Sequence, residues 1–172
     1  MIYPNGHIDY LLYENGGGLI GIGKVTMPPI KYKTVTATGA ALMGDVTIPL
    51  ASMIEAMTVS IDFSSVADAI VQLGTNEWHD VALYLADQYF DGEARKEELE
   101  SIRFEMSIRP TEINQGTIQT ASAADASGTY SVCRYTVYKN GAKVIDIDQF
   151  NQTHEINGVD NASPVRKAMG MI

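Results

Sequence analysis

The chain has 172 residues, of which 45% are apolar and 19% are charged, and it carries a formal net charge of −9 and a single cysteine. This length and composition suit one domain over residues 1–172 whose core needs no disulfide or metal, and they exclude an intrinsically disordered chain. The acidic excess argues against a groove that binds nucleic acid by charge, because such a groove needs a surplus of Lys and Arg.

The dominant period of apolar and polar residues along the chain is two, the period of a half-buried strand, and it is clearest at 102–108. A turn is expected at Asn15-Gly16, between the first two predicted strands. The predicted strands lie at 10–13, 19–26, 31–38, 57–63 and 81–89. We therefore expect a β-rich domain.

The segment 34–50 does not fit a closed monomer. Asp45 is its only charged residue, and glycines stand at Gly39 and Gly44. This composition indicates a hairpin arm or long loop, and an exposed loop this apolar marks a partner surface. The alternative is that the segment folds back over its own core. The candidate interface residues are Val35, Ala40, Ala41, Leu42, Met43, Val46 and Ile48.

Two short helices interrupt the strand pattern. The first is predicted at 65–73, with Ser65 as its cap, Asp68 at the capping-box position and Gly74 after its end. The second is predicted at 164–169, with Ser163 as its cap and Pro164 in the first turn.

The second half of the chain contains the strongest hairpin signal. Strands are predicted at 102–108 and 113–120, and the segment 91–100 is interpreted as a solvated turn. A β-rich segment at 129–138 is followed by Asn140-Gly141, the preferred pair for a type I′ turn, and by a return strand at 143–148.

The motifs that could indicate chemistry have simpler structural explanations. Residues 16–21 match the dinucleotide-binding pattern G-x-G-x-x-G, but Pro28 and Pro29 block the helix that this motif must open. Cys133 lies mid-strand and is interpreted as a structural thiol. No zinc spacing relates the three histidines, which are His7, His79 and His154. We expect no catalytic residue, cofactor or metal.

The chain also lacks the signals of membrane or secreted proteins. Residues 1–10 contain no basic region followed by an apolar core, and no apolar run approaches the roughly 20 residues of a transmembrane helix. A lone cysteine fits folding in a reducing compartment. We expect a protein made in the cytoplasm without a membrane anchor.

Three segments, in order along the chain, resemble the major tail tube proteins of contractile-tailed phages and R-type bacteriocins. The passage 23–31 followed by 38–44 looks like the family's "V-T-L-P-K" and its glycine-rich continuation. The hairpin 135–148 is similar to the family's late hairpin. The ending, 155–160 and 166–170, looks like the family's "V-N-G-V-D" and terminal "R-x-x-x-G-L".

The resemblance implies a mainly β fold with one or two short helices, in which two antiparallel sheets pack as a sandwich or partial barrel. Six copies would form a ring whose inner sheets join into one continuous β-barrel around a channel. Its partners would be other copies of itself, a surrounding sheath protein, baseplate and tail-terminator proteins at the ends, and a tape-measure protein or DNA in the channel without specific binding. The tube would act in a virion tail or phage-tail-like particle outside the cell.

The acidic surplus suggests that the wall of such a channel is net negative, because a narrow channel lined by one sign of charge repels a phosphate backbone. The candidate channel residues are Asp62, Glu105, Asp146 and Asp148. The alternative is that these acids pair with basic residues of neighbouring subunits and leave the wall neutral.

Two other functions compete with this interpretation. The related one is a tube protein of a type VI secretion apparatus or of a non-contractile tail. The one from a different class is a monomeric β-barrel that binds a small ligand in an apolar pocket. Rings or tubes in solution would favour the tube proteins, and a monodisperse monomer would favour the ligand-binding barrel.

Overall fold

The computed structural model describes residues 2–15, 18–20, 23–39, 43–63, 68–120 and 125–171. Several positions singled out above lie outside this description. They are Gly16, Gly17 and Gly21 of the glycine-rich segment, Ala40, Ala41 and Leu42 of the arm, the expected helix cap Ser65, and the side chain of Asp68.

The described residues form twelve strands and two short helices. In chain order these are β1 (Ile2–Glu14), β2 (Leu19–Ile20), β3 (Lys24–Thr26), β4 (Tyr32–Ala37), β5 (Val46–Ile54), β6 (Met57–Phe63), α1 (Asp68–Gln72), β7 (His79–Asp91), β8 (Lys96–Asn114), β9 (Ala126–Lys139), β10 (Ala142–Asp148), β11 (Thr153–Ile156), β12 (Val159–Asp160) and α2 (Ser163–Ala168). The mainly β fold expected from the sequence is confirmed.

Ten of these strands form one antiparallel sheet that branches at β9. The main path runs β12-β11-β10-β9-β8-β7-β1-β2, and β6 and β3 leave it on one side of β9. The first half of β9 pairs with β6, where Met57 lies opposite Val132, and the second half pairs with β10, where Asp148 lies opposite Arg134. Both halves pair with β8 on the other side.

A β-bulge at Cys133 lies at this branch. Ser107 of β8 is opposite Arg134, whereas Ile108 is opposite Val132, so Cys133 is the extra residue. The bulge changes the parity of the strand. Tyr130 and Val132 before it and Tyr135 and Val137 after it therefore all face the core.

The core forms where the sheet curls over itself. Alternate residues of β6 are fully buried, and they share one cluster with residues of β1 and β2 from the far end of the strand order. This curl gives the partial barrel expected above. The cluster contains Leu12, Ile20, Met57, Val59, Ile61, Phe63, Ile70, Leu73, Val81, Leu83, Met106, Ile108, Ala126, Tyr130, Val132, Tyr135, Val137 and Ile147.

Two turns have the backbone geometry that their sequences demand. Asn140 and Gly141 both have positive φ, 49° and 80°, as a type I′ turn requires, and the predicted hairpin β9–β10 is confirmed. Asn157 and Gly158, with φ of 50° and 77°, form an equivalent turn between β11 and β12 that the sequence analysis did not identify.

Three local predictions are wrong. The segment 91–100 is mostly strand, because only residues 92–95 form the turn between β7 and β8. The strand predicted at 113–120 ends at Asn114, whose side-chain oxygen accepts a hydrogen bond from the Gly116 N–H (2.9 Å) and turns the chain. Ser163 does not cap α2. The Asp160 carboxylate instead accepts hydrogen bonds from the N–H groups of Ala162 and of Ser163, the first residue of the helix.

Two tyrosine hydroxyls in this domain have opposite environments. Tyr10 donates a hydrogen bond to the Gly23 carbonyl (2.9 Å). Tyr130 is fully buried over Gly128, where any Cβ would overlap its ring, and its hydroxyl has no hydrogen-bond partner in the described part of the chain. Burial raises the pKa of Tyr130 to about 12.

This contrast predicts opposite effects of the same substitution. Tyr130→Phe should leave the free energy of unfolding unchanged or raise it, because an unpaired buried hydroxyl costs about 1–3 kcal/mol of desolvation. Tyr10→Phe, the matched control, should lower it by about 0.5–1.5 kcal/mol through loss of a satisfied hydrogen bond. Urea unfolding of both variants measures the difference. A larger loss for Tyr130→Phe than for Tyr10→Phe would contradict this account.

Candidate assembly surfaces

The described residues of the segment 34–50 belong to a hairpin arm that stands apart from the large sheet. Among the described residues, β4 and β5 pair only with each other, and Val35 lies opposite Ile48. The two side chains are 51% and 50% exposed, Val46 is 46% exposed, and Met43 near the tip is fully exposed. The arm therefore presents an apolar surface to solvent, with Lys33 and Asp45 as the charged residues of its described part between 32 and 54.

The root of the arm is fixed to the body of the domain. The Glu55 N–H donates to the Lys31 carbonyl (2.8 Å), and the Gln149 side-chain amide donates to the Glu55 carbonyl (3.1 Å). The Ser52 hydroxyl donates to the Asn161 carbonyl. These contacts fix the orientation of the arm relative to the rest of the domain. The side chains of its two strands nevertheless remain largely exposed to solvent.

A second contact at the root involves a buried histidine. The Tyr32 hydroxyl lies 3.2 Å from Nε2 of His154, which is only 3% exposed, and the two rings are 5.6 Å apart. Its Nδ1 has no hydrogen-bond partner among the described residues. Burial lowers the pKa of His154, and the carboxylate of Asp160 only partly opposes this. A groove of about 430 Å³ lies beside it, between β5 and α2.

The face of the large sheet opposite the core is polar. Cross-strand register places Glu105 of β8, Thr136 of β9, Asp146 of β10 and Glu155 of β11 in one row. Side chains directly opposite each other lie on the same face of a sheet. The structure thus brings together two predicted channel residues, Glu105 and Asp146, that are far apart in sequence.

The other two predicted channel residues have different surroundings. Asp148 lies one row away on the same face, where its carboxylate accepts hydrogen bonds from the N–H groups of Phe150 and Asn151 (both 3.0 Å) and so caps a turn. Asp62 is exposed on β6, opposite Lys24 of β3.

Several charges on this polar face pair within the chain. Arg103 lies 3.2 Å from Glu105, and its guanidinium packs 4.2 Å from the ring of Tyr138. Lys143 lies 2.8 Å from Asp146 and 3.6 Å from Glu155. In the three neighbouring rows that pass through Arg103, Glu105 and Ser107 of β8, the acids still outnumber the bases by five to three. The acids are Asp80, Glu105, Asp146, Asp148 and Glu155, and the bases are Arg103, Arg134 and Lys143.

The residues considered for chemistry lie apart from one another. His7 contacts Asp87 (2.9 Å) at an exposed position, and His79 is buried against Glu14 (2.6 Å). Burial raises the pKa of the Cys133 thiol, which disfavours the reactive thiolate. In the part of the chain that the structure describes, no group of three potential metal ligands is found, and no helix is long and apolar enough to cross a membrane.

The sequence analysis missed the projecting ribbon formed by the ends of β7 and β8. Ile102 is the first β8 residue that lies opposite β9. The preceding β8 residues, back to Lys96, pair with the end of β7, which reaches Asp91. The side of β8 that faces away from β7 is therefore unpaired from Lys96 to Glu100. The run of charges there does not alternate with apolar residues, so periodicity alone could not identify this strand.

Comparison with known proteins gives consistent findings. The model of the family described as phage tail tube protein FII matches residues 8–170. No curated protein sequence matches the chain.

Three cryo-EM structures contain chains of similar fold. One is the sheath–tube complex of the extracellular contractile injection system PVC in its extended state, with 14% identity and a TM-score of 0.54 over 75% of this chain and 87% of that chain. Another is the PVC sheath/tube terminator, with 12% identity and a TM-score of 0.53 over 75% and 92%. The third is the tube-terminating cap of the anti-feeding prophage, with 14% identity and a TM-score of 0.55 over 75% and 87%.

The buried His154 predicts a pH dependence of stability. Because burial holds the pKa of His154 in the folded state below the ordinary histidine value of about 6.5, the unfolded chain takes up a proton first as the pH falls. Its contribution to stability is complete above about pH 6.5 and is lost as the pH falls from there towards the folded-state pKa. His154→Gln should reduce the difference in Tm between pH 8 and pH 5. At pH 8 the imidazole is neutral. The difference in Tm between the variant and the wild type at that pH therefore measures the effect of the substitution on packing. An unchanged pH dependence would show that His154 is not responsible.

Proposed function

Since this chain belongs to the phage tail tube protein FII family and is a structural subunit of a tail tube, we propose that its copies close into hexameric rings that stack into the inner tube of a contractile tail or R-type bacteriocin. A contact between unlike surfaces closes into a ring by rotation, and stacking extends it into an open filament. The tube is the conduit and the rod driven through the target envelope.

The observation that carries this proposal is the uncovered hairpin arm. A single soluble domain rarely leaves a contiguous apolar surface exposed, and such a surface marks a contact with another protein. The arm residues Val35, Met43, Val46 and Ile48 form this surface, and Ala40, Ala41 and Leu42 complete the candidate set. We assign the arm to the contact between neighbouring subunits.

The proposed partners follow from the complexes in which similar folds occur. The similar chains come from a sheath–tube complex, a sheath/tube terminator and a tube-terminating cap. We propose that a sheath surrounds this tube, that terminator and baseplate proteins hold its ends, and that a tape-measure protein or DNA passes through it without specific binding. The role is structural, without catalysis, in a particle that acts outside the producing cell.

We assign the polar face of β7–β11 to the channel wall. The row that contains Glu105 and Asp146 lies on this face, and its acidic excess is supported by the register described above. Arg103 and Lys143 reduce the negative charge but do not cancel it. Repeated around a ring, a net negative wall repels a phosphate backbone from every side.

Assembly tests the proposal directly. The wild-type protein should form rings or tubes at high concentration, visible by negative-stain microscopy and analytical ultracentrifugation. Val35→Asp/Ile48→Asp should abolish assembly, because carboxylates would be buried in an apolar contact. The Tm should stay close to that of the wild type, since both positions are half exposed. Val71→Asp, at an exposed valine on α1, is the control and should still assemble. A wild-type protein that stays monomeric across salt and pH would contradict the tube assignment.

Thiol labelling tests the channel face. In a Cys133→Ser background, Glu105→Cys in intact tubes should react with a small maleimide that diffuses in through the open ends. It should not react with a polyethylene glycol maleimide too large to enter. After the tubes are dissociated, both reagents should label the same residue, which provides the matched control. Equal labelling by the large reagent in intact tubes would place Glu105 outside the channel.

A further inference from the structure

We propose that β8 of one subunit adds to β4 in the arm of the next subunit through their open strand edges, with the acidic ribbon of one copy against the basic arm root of the other. The β8 edge is Lys96–Glu100, and the β4 edge is Tyr32–Ala37. This inference rests on the proposed tube assembly and identifies which parts of two copies meet.

Both edges have unpaired backbone groups. Among the strands of the described residues, β4 pairs only with β5, and the end of β8 pairs only with β7, because β9 begins opposite Ile102. The Asn140 N–H donates a hydrogen bond to the Ser101 carbonyl (2.8 Å), and the Ser101 N–H donates to the Asn140 side-chain oxygen (3.1 Å). The open β8 edge therefore ends before Ser101. An open strand edge is a template for a strand from another chain.

Other described edges are less suited to pairing. β1 has two register shifts along its pairing with β7 and a proline at Pro4. β5 has Pro49, which lacks an N–H, and a positive φ at Ser52. β2 and β12 are only two residues long. The β4 and β8 edges contain no proline. The pairing of β8 with β7 has no register shift, and that of β4 with β5 has a single one, between Tyr32 and Thr34.

Charge determines which edges can meet. From Asp87 to Glu100 the ribbon has six acidic and two basic residues, whereas β4 and the residue before it, 31–37, have Lys31 and Lys33 and no acid. The two acids of the arm, Asp45 and Glu55, flank β5 instead. Two β4 edges would bring lysines together, and two β8 edges would bring glutamates together. Like charges in contact suppress wrong pairings, so β8 on β4 is the favoured combination. It joins unlike surfaces, as a ring or filament requires.

Several charged side chains at these edges have no ion-pair partner among the described residues, although Glu98 accepts a hydrogen bond from the Tyr89 hydroxyl. Lys31 and Lys33 form no ion pair with any described residue, and Glu97 forms none either. Leu99, beside Glu97 and Glu98, is 70% exposed on a strand, and Val35 of β4 is 51% exposed. A β8–β4 contact would cover both apolar side chains and pair the lysines with the glutamates.

A charge-reversal cycle tests the contact. Lys31→Glu/Lys33→Glu should raise the protein concentration needed for half-maximal assembly by about tenfold or more, and Glu97→Lys/Glu98→Lys should do the same. The four substitutions combined in one chain should restore assembly towards the wild-type concentration. Sedimentation of assembled material measures all three, and Tm confirms that each variant is folded.

The control must separate a specific contact from net charge. Lys24→Glu/Lys167→Glu changes the net charge by the same amount as the arm variant and should assemble like the wild type. If the wild type forms tubes but the combined variant is no better than either double variant, the β8–β4 contact is wrong and the tube assignment stands. If both double variants assemble normally, the contact is also wrong. A wild type that never assembles contradicts the tube assignment itself.

Discussion

The fold depends on the hydrogen bonding of one strand, β9, which has three neighbours instead of two. One edge of β9 pairs with β8 along most of its length, and its other edge pairs first with β6 and then with β10. The change of partner occurs at the Cys133 bulge, where the Cys133 carbonyl accepts a hydrogen bond from the Gln149 N–H (3.0 Å) instead of from a ladder partner. One strand is thereby shared by both branches of the sheet, and the core is enclosed between these branches.

The same constraint is the basis for proposing that other copies complete the domain. Curling encloses the core but does not join the strands at the two ends of the path into a closed barrel, so strand edges remain open. The two-stranded arm adds further open edges and an apolar surface with no cover. A tube subunit differs from a monomeric barrel in this respect, because its unpaired edges and exposed apolar side chains are completed by other copies of the same chain.

Charge is divided between parts of the molecule in a way that suits this role. The polar face of the large sheet contains an acidic excess moderated by internal ion pairs, such as Lys143 with Asp146. The ribbon is acidic, and the arm root is basic. Opposite charges on separate projecting elements favour contacts between copies over contacts within one copy, and they orient the subunits head to tail.

Local chemistry was sufficient to determine much of this protein from its sequence. The alternation at 102–108, the Asn140-Gly141 turn and the composition of 34–50, where Asp45 is the only charged residue, each report a property of a few neighbouring residues, and their predictions needed no knowledge of distant segments. The sequence also identified Glu105 and Asp146 as strand carboxylates. It could not place them in one row, because register between strands is set by core packing among residues far apart in the chain. The branch at Cys133, the projecting β7–β8 ribbon and the choice of which edges stay open were decided only in the tertiary structure, since each depends on which strands pair and where that pairing stops.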